Sequence, residues 1–138
     1  MSRENEERNI KFIEKMFAAT GSGDWQAAEE MVTSDFQVVE APSLPFGGVF
    51  RGIKGLQELY GLVMSSVGVA GLDIQQITAG GDRAVVLLDL MIEGNPPVRV
   101  PLAETFRFRD GKVCEIKPYY FDARQVTDAA ARKKAANS

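Results

Sequence analysis

Residues 98–121 decide the fold of this chain, and they read VRVPLAETFRFRDGKVCEIKPYYF. Apolar and polar side chains alternate on both sides of the Asp110-Gly111 pair, as they do in a β-strand with one buried face. An Asp-Gly pair between two such runs is a strong signal for a tight hairpin turn. The stretch therefore predicts two antiparallel strands, residues 98–109 and 112–121, joined at Asp110 and Gly111.

Glu104 interrupts the apolar face of the first of these strands. The other residues on that face are Val98, Val100, Leu102, Phe106 and Phe108. A buried carboxylate is costly unless it is paired, hydrogen-bonded or protonated, so two interpretations stay open. Glu104 is either an acid that faces a pocket and acts there, or a structural residue held by an arginine or by backbone amides. Tyr120 on the next strand is similarly a ligand contact or a core residue.

Working outward from the hairpin, hydrophobic periodicity predicts the remaining elements. Further strands are predicted at residues 35–41, 49–52, 72–79 and 83–93. Helices are predicted at residues 4–20 and 53–67. A short helix after the N-cap Asp24 is predicted to bury Trp25, Ala28, Met31 and Val32. Helices followed by hairpin-linked strands indicate an α+β fold, in which three helices of the N-terminal half cover one face of an antiparallel sheet. We expect this domain to span residues 1–122, with residues 123–138 as a helical extension or a disordered tail.

Composition limits the classes of partner. The chain has 138 residues, of which 45% are hydrophobic and 25% charged, as in an ordinary globular domain. The formal net charge of −3 gives no broad attraction to nucleic acid. No apolar stretch approaches the roughly 18 residues that span a bilayer. With a single cysteine, Cys114, we expect a soluble cytoplasmic protein without nucleic-acid or membrane partners.

The sequence contains no histidine, which restricts its chemistry. Ser–His and Cys–His nucleophiles are excluded, as are most zinc sites. No glycine-rich phosphate loop is present either. We therefore expect neither a metal nor a cofactor, and look to carboxyl and phenol groups for any reaction.

The strand at 83–93 predicts an oligomer. Both of its faces are apolar, and the helices cover only one of them. Val85, Leu87 and Met91 form the other face, which a second subunit packed sheet to sheet would cover. We expect a homodimer.

Four short motifs resemble those of the nuclear-transport-factor-two-like superfamily over residues 5–122. They are Gly23-Asp24-Trp25, Glu40-Ala41-Pro42, Arg51-Gly52 and the segment from Phe106 to Val113. The resemblance is to the SnoaL-like polyketide cyclases and the ketosteroid isomerases. It implies a cystatin-like fold, a cone-shaped and curved antiparallel sheet with one enclosed apolar pocket that holds a small cyclic molecule. Some members of the family use this pocket for acid/base catalysis, and others have no demonstrated activity.

The ketosteroid isomerase resemblance can be tested residue by residue. Glu104 falls where that family has a protonated acid, and Tyr60 matches a tyrosine that supports the oxyanion network. Ala41, however, occupies the position of the general base, and Met16 that of the oxyanion tyrosine. Steroid isomerisation by that mechanism is therefore not expected. Glu40 replaces the base if it turns inward; otherwise it is a solvated carboxylate at a strand end.

Taken together, the sequence favours a cofactor-free isomerase, cyclase or hydratase acting on a small apolar or cyclic substrate. Glu104 would be the acid or electrostatic stabiliser, and Glu40 the base. A non-catalytic ligand-binding or dimerisation module remains the alternative. A pocket of about 300 Å³ or more is expected. Its predicted lining is Met16, Phe17, Val39, Tyr60, Val86, Leu88, Phe106, Ile116 and Tyr120.

Overall fold

The computed structural model describes residues 3–137. Met1 and Ser2 of the predicted domain 1–122, and Ser138 of the predicted segment 123–138, lie outside the described residues. The helices are α1 (Arg3–Gly21), α2 (Trp25–Glu29), α3 (Gly52–Val67) and α4 (Arg124–Ala136). The strands are β1 (Val32–Glu40), β2 (Gly48–Arg51), β3 (Val69–Gly80), β4 (Arg83–Ile92), β5 (Val98–Arg109) and β6 (Lys112–Tyr120). The α+β class predicted from the order of elements is confirmed.

The strands form one curved, unclosed sheet in the order β2-β1-β6-β5-β4-β3. Neighbouring strands are antiparallel except β1 and β6, which run parallel. The sequence predicted a purely antiparallel sheet, because alternation along a strand reveals its faces but not the direction of a distant neighbour. α1 lies against β3 and α3 lies against β1, so these helices cover one face of the sheet.

The hairpin between β5 and β6 forms where the Asp-Gly pair predicts it. Asp110 has φ 53° and Gly111 has φ 77°, the positive angles that a two-residue turn of this kind requires. One residue further on the register shifts: Phe108 pairs with Val113, whereas Arg107 pairs with Glu115. The inward direction of Ile116, Pro118 and Tyr120 on β6 therefore depends on this register shift as well as on the turn.

The second helix is shorter than the apolar pattern suggested. Asp24 caps it as predicted, accepting a hydrogen bond of 3.1 Å from the backbone N–H of Ala27. The helix ends at Glu29, and Val32 already belongs to β1. Sequence reasoning had placed Val32 on the helix, since an apolar residue just beyond a helix fits its periodicity.

The C-terminal segment is a helix rather than a disordered tail. Val126 is 0% exposed and Ala129 is buried, so α4 contributes to the core. Gln125 Nε2 donates to the carbonyl oxygen of Arg99 over 3.2 Å. Lys133 Nζ donates to the carbonyl oxygen of Met64 over 3.2 Å. α4 is thus attached to both β5 and α3.

Among residues 3–137, no helix lies on the outer face of the sheet. Leu87 is 44% exposed there, as expected from the two apolar faces of β4. Asp89 lies on the same face, where Arg99 donates hydrogen bonds to it over 3.1 Å and to Asp73 over 2.8 Å. No helix within residues 3–137 is long and apolar enough to cross a lipid bilayer.

Candidate functional site

A cavity of about 170 Å³ lies between α1, α3 and the inner face of the sheet. Its walls are mostly aliphatic and aromatic. The polar side chains that line it are Thr20, Glu40, Tyr60, Glu104 and Tyr120. Met64 and Leu72, which are 49% and 45% exposed, mark the side on which it meets solvent. The cavity is smaller than the sequence-based expectation of about 300 Å³, because large side chains such as Phe17 and Phe106 project into it.

Most residues predicted to line the pocket do so. They are Met16, Phe17, Tyr60, Leu88, Phe106, Ile116 and Tyr120. Val39 does not, because Val38 and Glu40 face the cavity and alternation turns the residue between them to the outer face. Val86 does not line it either; it is 0% exposed and belongs to the hydrophobic core. Both assignments were wrong.

The sheet brings Glu40 and Glu104 to the same cavity. On β5, Glu104 pairs with Pro118 of the central strand β6. On the other side of β6, the last recorded pair with the parallel strand β1 is Val38 with Ile116. Glu40 follows two residues further along β1 and faces the same side as Val38. Glu40 of β1 and Glu104 of β5 therefore lie on either side of β6, with their side chains directed into one cavity.

Glu40 is buried without a partner for one of its oxygens. The residue is 5% exposed, and Oε1 has no hydrogen-bond partner among the described residues. Burial, and to a smaller extent the nearby charge of Glu104, raises the pKa of the carboxyl group to about 8. The interpretation of Glu40 as a solvated strand-end carboxylate is therefore wrong.

Glu104 is also held in an apolar environment. Burial raises the pKa of its carboxyl group to about 7. The residue keeps some accessible surface because it forms part of the cavity wall. Within residues 3–137 no lysine or arginine lines the cavity, so the alternative of a structural partner of an arginine finds no support.

Two phenol groups complete the polar lining. Burial raises the pKa of Tyr60 to about 12; a hydrogen bond with Thr20 lowers it and the charge of Glu104 raises it. Burial, followed by the charges of Glu40 and Glu104, raises the pKa of Tyr120. The ring of Tyr60 packs edge-on against Trp25 at 5.2 Å between centroids. Both hydroxyl groups are protonated near neutral pH and can donate hydrogen bonds.

Arg51 and Asp122, two charged residues next to strand ends, do not line the cavity. Arg51 Nη1 donates to Gln37 Oε1 over 3.2 Å on the outer side of the sheet. Asp122 accepts a hydrogen bond of 3.1 Å from the backbone N–H of Arg124 at the start of α4, and the hydrogen bond from the Arg124 side chain lowers its pKa. Within residues 3–137 no three His, Cys, Asp or Glu side chains are grouped to hold a metal ion.

Sequence reasoning missed several lining residues, among them Thr20, Val38 and Pro118. Thr20 continues the helical spacing of Met16 on α1, and this spacing was a usable signal. The positions of Val38 and Pro118 depend on the parallel pairing of β1 with β6, which has no signal in the sequence.

A family model described as a SnoaL-like domain matches residues 13–116, about three quarters of the chain. No functionally curated protein matches the chain in sequence.

Solved structures share the fold at low sequence identity. TerC, co-crystallised with polyporic acid, is 18% identical with a TM-score of 0.74, over 90% of this chain and 98% of that one. An NTF2-like protein from Burkholderia xenovorans LB400 is 21% identical with a TM-score of 0.73, over 91% and 97%. A protein with a cystatin-like fold from Xanthomonas campestris is 20% identical with a TM-score of 0.70, over 88% and 95%. These similarities establish the fold.

Proposed function

Because the chain belongs to the family of SnoaL-like domains, we propose that it is a cofactor-free enzyme acting on a small, largely apolar or cyclic molecule by general acid/base chemistry. The reaction is of the isomerase, cyclase or hydratase type. The observation that carries the proposal is the pair of carboxyl groups, Glu40 and Glu104, in one apolar cavity. Titratable groups with shifted pKa values that meet in a cavity are a frequent feature of catalytic sites.

The pair provides one acid and one base near neutral pH. We assign the proton to Glu40, because it is the more deeply buried group and one of its oxygens has no hydrogen-bond donor. Glu104, with the lower pKa, is the base. This assignment reverses the roles expected from the sequence.

A carbonyl compound illustrates the chemistry. Glu104 removes a proton from the carbon beside the carbonyl group while Glu40 donates its proton to the carbonyl oxygen, giving an enol. In the reverse step Glu104 gives its proton back to carbon while Glu40 takes the proton of the enol hydroxyl group, which restores both carboxyl groups to their starting states. The hydroxyl groups of Tyr60 and Tyr120 donate hydrogen bonds to the oxygen as negative charge develops on it.

Two further observations are consistent with the proposal. The co-crystal of TerC with polyporic acid is an instance of this fold with an organic ligand. The proposed compartment is the cytoplasm, which the single buried thiol of Cys114 supports.

Deuterium exchange into cyclohexanone tests the proposal, because the ketone is a single ring with acidic protons beside its carbonyl group. In D₂O at pH 7.5, proton NMR should show that the wild-type protein accelerates the exchange. Glu104→Gln should lower the protein-catalysed rate by about a hundredfold or more, since it removes the base. Glu58→Gln, the same change on the exposed side of α3, should leave the rate unchanged.

Two results would contradict the proposal. Exchange that is no faster with the wild-type protein than with Glu104→Gln would refute general-base catalysis by Glu104. If cyclohexanone binds in the cavity without exchanging, the chain is a ligand-binding module rather than an enzyme.

A further inference from the structure

We propose that the ligand of this cavity carries a protonated amine, whose nitrogen lies between the carboxyl groups of Glu40 and Glu104. The inference rests on the proposed function, because it specifies the charge of the molecule bound at the same site. It predicts a fixed order of affinity for ligands of equal shape: cation, then neutral molecule, then anion.

The first argument is the missing counter-charge. The described ion pairs of the chain occur at or near its surface; Arg99, for example, pairs with Asp73 and Asp89 on the outer face of the sheet. The two acids of the cavity have no such partner, since no lysine or arginine within residues 3–137 lines it. A cation that enters the cavity would supply the charge that the protein itself does not. An anion would add a negative charge beside the carboxylate of Glu104 where water is scarce.

The second argument is the unsatisfied oxygen of Glu40. Buried polar atoms in folded proteins are nearly always hydrogen-bonded, so an exception requires an explanation. Oε1 of Glu40 has no partner among the described residues, and its side chain lines the cavity. An ammonium group has three N–H donors and no acceptor. It can satisfy this oxygen and still donate to Glu104.

The third argument is the aromatic lining. Four aromatic side chains line the cavity, those of Phe17, Tyr60, Phe106 and Tyr120. The face of an aromatic ring attracts a cation, and aromatic walls with nearby acids are a recurring receptor for ammonium groups. Such walls also pack well against an apolar body.

The size of the cavity limits the body of the ligand. A cavity of 150 Å³ lined by apolar side chains accommodates benzene in an engineered protein. The volume here is about 170 Å³. One six-membered ring with a short substituent therefore fits, and benzylamine is a suitable probe.

The titratable groups that face the amine predict how its binding depends on pH. They are Glu40 of β1, Glu104 of β5, Tyr120 of β6 and Tyr60 of α3; α1 presents Met16, Phe17 and Thr20, which do not titrate. Benzylamine stays protonated between about pH 6 and pH 8, and so do both phenols. Only the carboxyl groups change their protonation state in this range, since the pKa is raised to about 7 for Glu104 and to about 8 for Glu40. Amine binding should therefore strengthen as pH rises and should release a proton.

Isothermal titration calorimetry with three probes of one shape tests this inference. Benzylamine, benzyl alcohol and benzoate are each titrated into the wild-type protein at pH 6 and pH 8. The affinity for benzylamine should rise about tenfold over this interval, following the ionisation of Glu104. Benzyl alcohol should bind more weakly than benzylamine at pH 8, and benzoate should bind most weakly. Titration in two buffers of different ionisation enthalpy at pH 7 should reveal the released proton.

Variants of the two carboxyl residues test whether these residues cause the preference for the amine. Glu40→Gln and Glu104→Gln should each reduce the preference for the amine over the alcohol, and the double variant should abolish both the preference and the pH dependence. Glu58→Gln should behave as wild type. If any carboxyl variant does not fold, the comparison of the three probes on the wild-type protein still decides the question.

The outcomes separate the inference from the proposed function. Benzyl alcohol that binds as well as or better than benzylamine at pH 8 overturns the inference and leaves the proposed function standing. Benzoate that binds the wild-type protein as tightly as benzylamine overturns the inference as well. So does a preference for the amine that survives in the double variant. If none of the three probes binds, both the inference and the proposed function fail.

Discussion

At the scale of single residues, the carboxyl group of Glu40 links the stability of the protein to pH. Its pKa is about 8 in the folded protein, against an ordinary value of 4.5. Between these two values the folded state holds a proton that the unfolded state has lost. The free energy of unfolding therefore falls as pH rises through this window, and the full penalty is present above about pH 8.

We expect Glu40→Gln to remove that penalty. At pH 9 the variant should be more stable than the wild-type protein by roughly 2 to 4 kcal/mol, and at pH 5 the two should be nearly equal. Urea unfolding at both pH values measures the difference, with Glu58→Gln as the control. A difference that is the same at pH 5 and pH 9 would mean that Glu40 does not titrate as described.

At the scale of secondary-structure elements, β5 and β1 show how far the sequence can be interpreted. The regular alternation of β5 placed Glu104 on the inner face correctly, because the pairing of β5 with β4 runs without a register shift. β1 has no such regularity. The consecutive residues Val38 and Val39 are equally apolar, and a register shift between Val32 and Gln37 interrupts the pairing with β6. The inward position of Glu40 followed only from the three-dimensional structure.

The fourth helix provides a prediction at this scale. Val126 of α4 is completely buried, so Val126→Ala should leave a cavity and lower the free energy of unfolding by about 1 to 3 kcal/mol. Arg132→Ala, on the exposed side of the same helix, should change it by less than about 0.5 kcal/mol. Chemical denaturation of both variants compares them. Equal effects would show that α4 does not contribute to the core.

At the scale of the whole molecule, the outer face of the sheet remains to be covered. We propose a homodimer that buries Leu87 together with Val85 and Met91. Light scattering at micromolar concentration should give about twice the chain mass of 15.1 kDa. Leu87→Glu should produce a monomer, whereas Leu62→Glu, at an exposed position of α3, should not. A wild-type monomer would contradict the proposal.

The proline in β6 has a consequence for how the site arises. The recorded pairing between β1 and β6 ends at Val38 and Ile116, and Pro118, the next inward residue of β6, has no N–H group to continue it. The two strands can therefore separate just where Glu40 enters the cavity. The inward position of the Glu40 side chain is thus linked to a backbone hydrogen bond that Pro118 cannot donate. A comparison of related chains should therefore record the prolines of the sheet together with its acidic residues.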